Sequence, residues 1–256
     1  MTITYAPGRP NWVDLATADT SAASSFYGEV FGWTTEELGP EAGGYSLLRL
    51  HGKQIGGLGP VTDPMQPPSW SIYLATSDAD QTASKVTANG GTVLSEPMDV
   101  GDMGRLAAFS DPTGAVFSVW QPGRNTGAEV VGENGAMSWA ELMTPDLDIA
   151  KNFYEQVFPL HCRDIGRADG GTYTLLETGT EAVAGAMEIQ PEMGAMSPHW
   201  SPYFSVADLD GTADRAIDLG ATQLMRDDSE AGRFAIITDP QGATFSMISP
   251  DPNYRP

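Results

Sequence analysis

The sequence predicts an α+β protein built from four βαβββ modules, two in each half of the chain. Three observations carry this. The chain repeats itself, each half restarts the same strand–helix–three-strand pattern, and each half ends on the same Asp-Pro-x-Gly turn. WVDLATADTSAASSFYGEVF at 12–31 matches WAELMTPDLDIAKNFYEQVF at 139–158 with nine identities in 20 positions at an offset of 127. GRLAAFSDPTGAVFS at 104–118 matches GRFAIITDPQGATFS at 232–246 with nine identities in 15 at an offset of 128. Self-similarity at a fixed offset marks a tandem duplication.

The elements follow in order. Trp12–Thr17 reads as a strand, and Asp19 sits where a helix N-cap belongs, because its carboxylate can take an orphan backbone N–H of the first turn. Ala23, Phe26, Tyr27, Val30 and Phe31 then recur at helical spacing, giving one apolar face. Short strand-like runs follow at Thr34–Leu38, Tyr45–Leu50 and Gln54–Leu58. The pattern restarts with a strand at Ser71–Ala75, the cap Asp78 and a small-residue helix over Ala79–Ala88 that ends at Gly90-Gly91. Strands near Thr92–Ser95, Leu106–Ser110 and Ala115–Trp120 close the first half. Asp111-Pro112-Thr113-Gly114 between the last two suits a tight turn: Pro fixes φ at the first central position and Gly accepts φ > 0. The second half repeats all of this with the caps Asp146 and Asp208 and the turn Asp239-Pro240-Gln241-Gly242. Gln121–Met137 is polar, glycine-rich and aperiodic, and reads as the linker.

Composition excludes several function classes. Of 256 residues, 41 % are hydrophobic, enough for sizeable cores. Thirty-four acidic against thirteen basic residues give a net charge of -21, which repels phosphate backbones and anionic lipid, so neither nucleic acid nor membrane is an expected partner. No stretch approaches the roughly 20 apolar residues of a membrane helix. The N-terminus has no basic flank before an apolar core, so a cytoplasmic location is expected. Cys162 is the single cysteine, which excludes internal disulfides and cysteine-rich metal sites. With only His51, His161 and His199, any metal site would lean on carboxylates.

The doubled module, with Phe-Tyr in its capped first helix and the DP-x-G turn before its last strand, resembles the vicinal oxygen chelate superfamily of glyoxalases, bleomycin-resistance proteins and extradiol dioxygenases. NWVDLATAD…FYGEVFGW is similar to two-domain actinobacterial members labelled hydroxylases or glyoxalase/bleomycin-resistance proteins. The resemblance implies tandem glyoxalase-like domains at 1–122 and 137–256 with a linker at 123–136. It implies that each pair of modules forms a curved eight-stranded sheet around a cup. It also implies where metal-dependent members place their ligands: Trp12, Ile72 and Ser118 in the first half, and Trp139, Pro202 and Ser246 in the second. None of the six is a good ligand, since indole and alkyl groups lack a suitable lone pair and a neutral serine is weak. No metal and no other cofactor is therefore expected.

Strand alternation indicates what stands there instead. Trp12 brings Asp14 and Ala16 to its face, and Trp139 brings Glu141 and Met143. Ile72 brings Trp70 and Leu74, Pro202 brings Trp200 and Phe204, and Ser118 and Ser246 bring Trp120 and Ile248. Such a lining suits a hydrophobic or aromatic small molecule. The expected ligand-binding residues are Trp12, Trp139, Trp70, Trp200, Tyr45, Tyr173, Phe204, Ser118 and Ser246, with Glu141 and Asp14 as candidate acid/base groups. The alternative for each tryptophan is core filling, and for each carboxylate a structural bond to a backbone amide. Arg105 and Arg233 read either as anion partners or as salt bridges. Cys162 beside His161 imitates a nucleophile–base pair only in sequence, because adjacent strand residues face opposite ways. Tyr73 and Tyr203 are further candidate hydroxyl donors, and Met187, Met193 and Met196 a candidate adaptable lip.

The reading is a metal-independent member that binds an aromatic molecule for antibiotic or secondary-metabolite handling, by sequestration or by cofactorless catalysis of a lyase, isomerase or hydroxylase-like kind. The alternatives are a metal-dependent glyoxalase or dioxygenase with non-standard ligands, and a non-enzymatic interaction protein with filled cups. Either a monomer or a homodimer fits the repeat.

Overall fold

A computed structural model describes residues 3–63, 65–167 and 170–254, with the side chain of residue 192 also left aside. It holds 16 strands and four α-helices in the predicted modular order. The first half runs β1 (Pro10–Thr17), α1 (Thr20–Phe31), β2 (Thr34–Glu37), β3 (Ser46–Leu50), β4 (Lys53–Pro60), β5 (Ser69–Ala75), α2 (Ala79–Ala88), β6 (Thr92–Val100), β7 (Gly104–Ser110) and β8 (Val116–Pro122). The second runs β9 (Met137–Thr144), α3 (Leu147–Val157), β10 (His161–Gly166), β11 (Thr172–Thr178), β12 (Glu181–Glu188), β13 (His199–Ser205), α4 (Leu209–Asp218), β14 (Thr222–Ser229), β15 (Gly232–Thr238) and β16 (Thr244–Pro250). Two mixed eight-stranded sheets result, ordered β2-β3-β4-β1-β5-β8-β7-β6 and β10-β11-β12-β9-β13-β16-β15-β14. No helix among the described residues is long and apolar enough to cross a membrane.

All four predicted N-caps form. Asp19, Asp78 and Asp146 each accept a backbone N–H three residues on at 2.9 Å, and Asp208 does so at 3.1 Å. Gly114 and Gly242, at φ 102° and 107°, close the two Asp-Pro-x-Gly turns by donating to Asp111 O and Asp239 O.

The chain divides into two compact units that do not follow the two sequence copies. One comprises residues 1–11, 72–127 and 139–201, and the other residues 12–71, 128–138 and 202–256. Each therefore takes one module from each copy. In the second unit α1 packs with α4, and in the first α2 packs with α3. The Phe-Tyr pair and the turn motif explain the pairing. Tyr27 Oη, fully buried, donates to Asp239 Oδ2 at 2.9 Å and accepts from Trp70 Nε1 at 3.1 Å. The other oxygen of Asp239 takes the backbone N–H groups of Gln241, Gly242 and Ala243. The first unit repeats this: Tyr154 Oη donates to Asp111 Oδ2 at 3.1 Å and accepts from Trp200 Nε1 at 2.8 Å, while Asp111 Oδ1 holds Thr113 and Ala115 N–H. Every buried polar atom named here has a partner, as burial requires.

Aromatic cores surround these networks. In the second unit Tyr27 stacks on Trp33 at 5.4 Å and meets Trp70 edge-on at 5.4 Å, with Phe31, Phe204 and Phe245 alongside. In the first, Phe117 packs among Phe109, Phe153, Tyr154 and Phe158. The predicted linker is no loose tether. Ala128, Val130 and Ala136 are buried, Glu129 N–H donates to Gln54 O at 2.7 Å, and Gly135 O accepts Trp33 Nε1 at 2.6 Å. Its glycines made the segment look aperiodic, but three small apolar side chains are enough to anchor it.

Candidate functional site

Each copy places a tryptophan, a carboxylate and a tyrosine together on the face of its first strand that points away from the helices. On β1, Val13 and Leu15 are almost fully buried on one face, while Trp12, Asp14 and Ala16 alternate with them on the other. Trp12 Nε1 donates to Asp14 Oδ1 at 2.8 Å, and Tyr45 Oη donates to the same oxygen at 2.6 Å. Trp12 Nε1 also lies 3.2 Å from Tyr45 Oη. In the second copy the links run in series: Trp139 Nε1 donates to Tyr173 Oη at 2.9 Å, and Tyr173 Oη to Glu141 Oε2 at 2.8 Å. The glutamate is buried at 8 % exposure, whereas Asp14 is half-buried.

Two glycines that sequence reasoning passed over make room for these trios. Gly57 pairs with Asp14 in the parallel β1–β4 ladder, and Gly185 pairs with Glu141 in β9–β12. A Cβ on Gly57 would stand 1.8 Å from Tyr45 Oη, and one on Gly185 would stand 1.9 Å from Tyr173 Oη. Each tyrosine hydroxyl thus rests on bare backbone. The available signal was a glycine inside a strand, which marks the close approach of another group.

The structure separates the remaining predicted residues. Trp70, Trp200 and Phe204, expected to line the binding face, belong instead to the helix-covered cores, where Trp70 and Trp200 donate to Tyr27 and Tyr154. The cause is a one-residue slip on β5 and β13, which moves every side chain to the opposite face. The residues opposite Ser118 and Ser246 are Tyr73 and Tyr203, not Ile72 and Pro202. Ser118 and Ser246 are buried on strands whose neighbouring positions, Phe117 and Phe245, pack under the helices.

Arg105 pairs with Asp80 and Asp99, and Arg233 with Asp210 and Asp228, so both arginines carry surface salt bridges. Burial, reinforced by Glu155, pushes the Cys162 thiol up to about 12, which suppresses the thiolate a nucleophile needs. Its neighbour His161 is exposed and faces Glu155 at 3.4 Å.

The donor set does not fit a divalent metal of the kind the resemblance implies. The indoles of Trp12 and Trp139 present N–H donors already engaged with Asp14 and Tyr173. Among the described residues no group of three His, Cys, Asp or Glu side chains could hold a metal ion.

Comparison with known proteins agrees with this architecture. The family model described as glyoxalase/bleomycin resistance protein/dioxygenase superfamily matches twice, at residues 9–119 and 136–247. The chain is 40 % identical over 255 residues to "Putative glyoxylase CFP32" of Mycobacterium tuberculosis (strain CDC 1551 / Oshkosh), covering 97 % of each. It is 39 % identical over 260 residues to the anthracycline biosynthesis protein DauV of Streptomyces sp. (strain C5), covering 95 % of this chain and 94 % of that one. Among solved structures, the Mn(II)-bound glyoxalase from Novosphingobium aromaticivorans superposes with a TM-score of 0.66 at 17 % identity, over 95 % of this chain and 82 % of that one. The 2,3-dioxygenase LapB from Pseudomonas sp. KL28 gives 0.65 at 13 %, over 99 % and 97 %. Likeness at that identity speaks for the fold alone. The paired βαβββ modules, the twofold family match and the full-length relatives together make this chain a tandem member of the glyoxalase/bleomycin resistance protein/dioxygenase superfamily.

Proposed function

We propose that the protein binds a hydrophobic, aromatic small molecule without a metal, in the handling of an antibiotic or other secondary metabolite. The observation that carries this is the Trp–carboxylate–Tyr trio, built twice on a glycine floor where metal-dependent relatives begin their ligand set. Indole and phenol offer flat apolar surface together with a polar edge, and the carboxylate fixes orientation by accepting a ligand O–H or N–H. The relative named for anthracycline biosynthesis supports the same class, since anthracyclines are fused-ring aromatics. Where a reaction follows binding, Asp14 and Glu141 are the groups that would take or return a proton, with the bound tyrosine hydroxyls holding the carboxylates in place.

Two measurements test this. Elemental analysis of protein purified without chelators should find no stoichiometric Fe, Mn, Ni or Zn. A stoichiometric metal would establish the metal-dependent alternative. A thermal-shift screen against hydroxylated aromatics should raise Tm by mass action, an effect lost in Trp12→Ala or Trp139→Ala. An unchanged Tm across such a panel would refute the reading.

A further inference from the structure

A cleft of about 330 Å³ lies in the second unit, where α1 meets Leu219 at the end of α4 and the Asp239-Pro240-Gln241 turn. It shares no residue with the Trp–carboxylate–Tyr trios. Ala22, Phe26 and Glu29 follow one stripe of α1, which spans about 10 Å along the helix at 1.5 Å per residue. Ala23 and Phe26 are buried, and with Leu219 and Pro240 they make the walls mainly apolar. The turn is fixed in place: Gln241 Oε1 takes Thr17 Oγ1 and Asp19 N–H, and Gln241 Nε2 donates to Asp19 O. The cleft is therefore built before any ligand arrives. Its polar end is acidic. Glu29 Oε2 pairs with Arg215 of α4, while among the described residues Glu29 Oε1 accepts no hydrogen bond. Asp239, saturated by Tyr27 and by the backbone of its own turn, adds a second negative charge, and no Lys, Arg or His is among the lining residues. The matching positions of the other unit are different: Ile149 stands for Ala22, Gln156 for Glu29 and Asn89 for Leu219. The small residue, the charge and the apolar floor thus belong to the second unit alone.

We propose that this cleft is a second ligand site, which takes a hydrophobic amine: the apolar body lies against Ala22, Phe26 and Leu219, and the ammonium pairs with Glu29. The volume is roughly twice what one benzene ring occupies in an apolar cavity, which leaves room for two fused rings. The Phe26 ring and the Pro240 edge supply apolar contact, and a few placed polar groups at one end set the orientation. A carboxylate has about four acceptor sites, so Glu29 can keep Arg215 on Oε2 and take an N–H donor on Oε1. The net charge of -21 favours a cation over an anion at long range as well.

The test uses the full chain with 1-naphthylmethylamine, and 1-naphthylmethanol as its uncharged counterpart. At neutral pH the amine should bind about two- to fivefold more tightly than the alcohol by calorimetry, the range of an exposed ion pair. Glu29→Gln should erase that preference and leave the alcohol's Kd unchanged. Ala22→Ile, which copies the residue at 149, should weaken both probes by about tenfold, because the branched chain takes the space of the ring. In wild-type protein labelled at its alanine methyl carbons, the Ala22 and Ala23 signals should shift as the naphthyl ring seats beside them, a readout that needs no variant to fold. Equal affinity for the two probes, a preference that survives Glu29→Gln, or binding that leaves the Ala22 and Ala23 signals unmoved overturns the inference. So does failure of the wild type to bind the amine.

Discussion

Adding a single methyl group at Gly57 tests whether the trio is a built site. Its Cβ would lie 1.8 Å from Tyr45 Oη and 2.3 Å from Asp14 Oδ1, where real Cβ contacts do not fall below 3.0 Å. The hydroxyl must therefore retreat by at least the difference, 1.2 Å. Such a move breaks the 2.6 Å bond to Asp14 and the 3.2 Å approach of Trp12. Losing the bond to Asp14 costs about 1 kcal/mol net, since Trp12 keeps its own bond to that carboxylate, and forcing extra volume into a packed site adds about 1–3 kcal/mol. Gly57→Ala should thus destabilise by about 2–4 kcal/mol, lowering Tm by roughly 5–15 °C in a chain of this size. Gly59→Ala is the matched control, since its nearest contact is the more tolerable 3.3 Å to Tyr45 Cδ2, and it should cost about 1 kcal/mol or less. Urea midpoints followed by tryptophan fluorescence supply the values. Combining Gly57→Ala with Tyr45→Ala removes the clash with the ring and leaves only the one with Asp14 Oδ1, so the double variant should lose less than the sum of the two single costs by about 1 kcal/mol or more. If Gly57→Ala unfolds at the wild-type midpoint, or if the two costs simply add, the hydroxyl-on-glycine account is wrong.

Further consequences concern the interior. Tyr27→Phe or Tyr154→Phe would strand a buried indole N–H and one carboxylate oxygen, and each should cost about 2–4 kcal/mol in urea unfolding; a loss under about 1 kcal/mol would show that the networks are incidental. Burial, with the nearby Asp239 and Asp111 adding to it, holds both phenols well above their ordinary pKa. The unfolded chain releases these protons near pH 10 while the native state keeps them, so stability is fully present below pH 10. Above it, stability should fall by about 1.4 kcal/mol per pH unit for each tyrosine until the folded pKa is reached. Tyr27→Phe should flatten that alkaline slope, and an unchanged slope would contradict the assignment. The Cys162 thiol, pushed up to about 12, should react with a disulfide reagent at pH 8 on the order of a hundredfold more slowly in the native protein than in urea. Cys162→Ser should leave aromatic binding unchanged.

How much of this was legible in the sequence depended on whether the signal was local. Helix α2 was readable to the residue because Asp78 caps one end and Gly90-Gly91 follows the other. The face shared by Trp12 and Asp14, and by Trp139 and Glu141, followed from alternation within a single strand. The same rule failed at Trp70, Trp200 and Phe204 because the starting register on β5 and β13 was off by one, and a period of two turns that slip into a complete inversion. Gly57 and Gly185 were visible as strand glycines, but only the position of a tyrosine from another strand shows what they make room for. The bond from Tyr27 to Asp239 joins residues 212 apart, and nothing local to either one announces the other.

That long-range bond explains why the repeat visible in the sequence is not the unit that packs. Read linearly, 256 residues are two copies, and a cut in the connecting segment looks harmless. Yet the Phe-Tyr helix of each copy finds its turn aspartate in the other, as Tyr27 does with Asp239 and Tyr154 with Asp111. Gln241 reinforces one of these pairings by accepting from Thr17 Oγ1 at 2.5 Å and from Asp19 N–H at 2.7 Å, beside the cap of α1. Thr113 reinforces the other by accepting from Thr144 Oγ1 at 3.1 Å. A single copy would therefore expose an aromatic core and leave a buried Tyr–Trp pair without its carboxylate, each unmet group costing about 1–3 kcal/mol. Against a total stability of only about 5–15 kcal/mol, that loss is decisive. The two copies consequently fold as one interdependent chain.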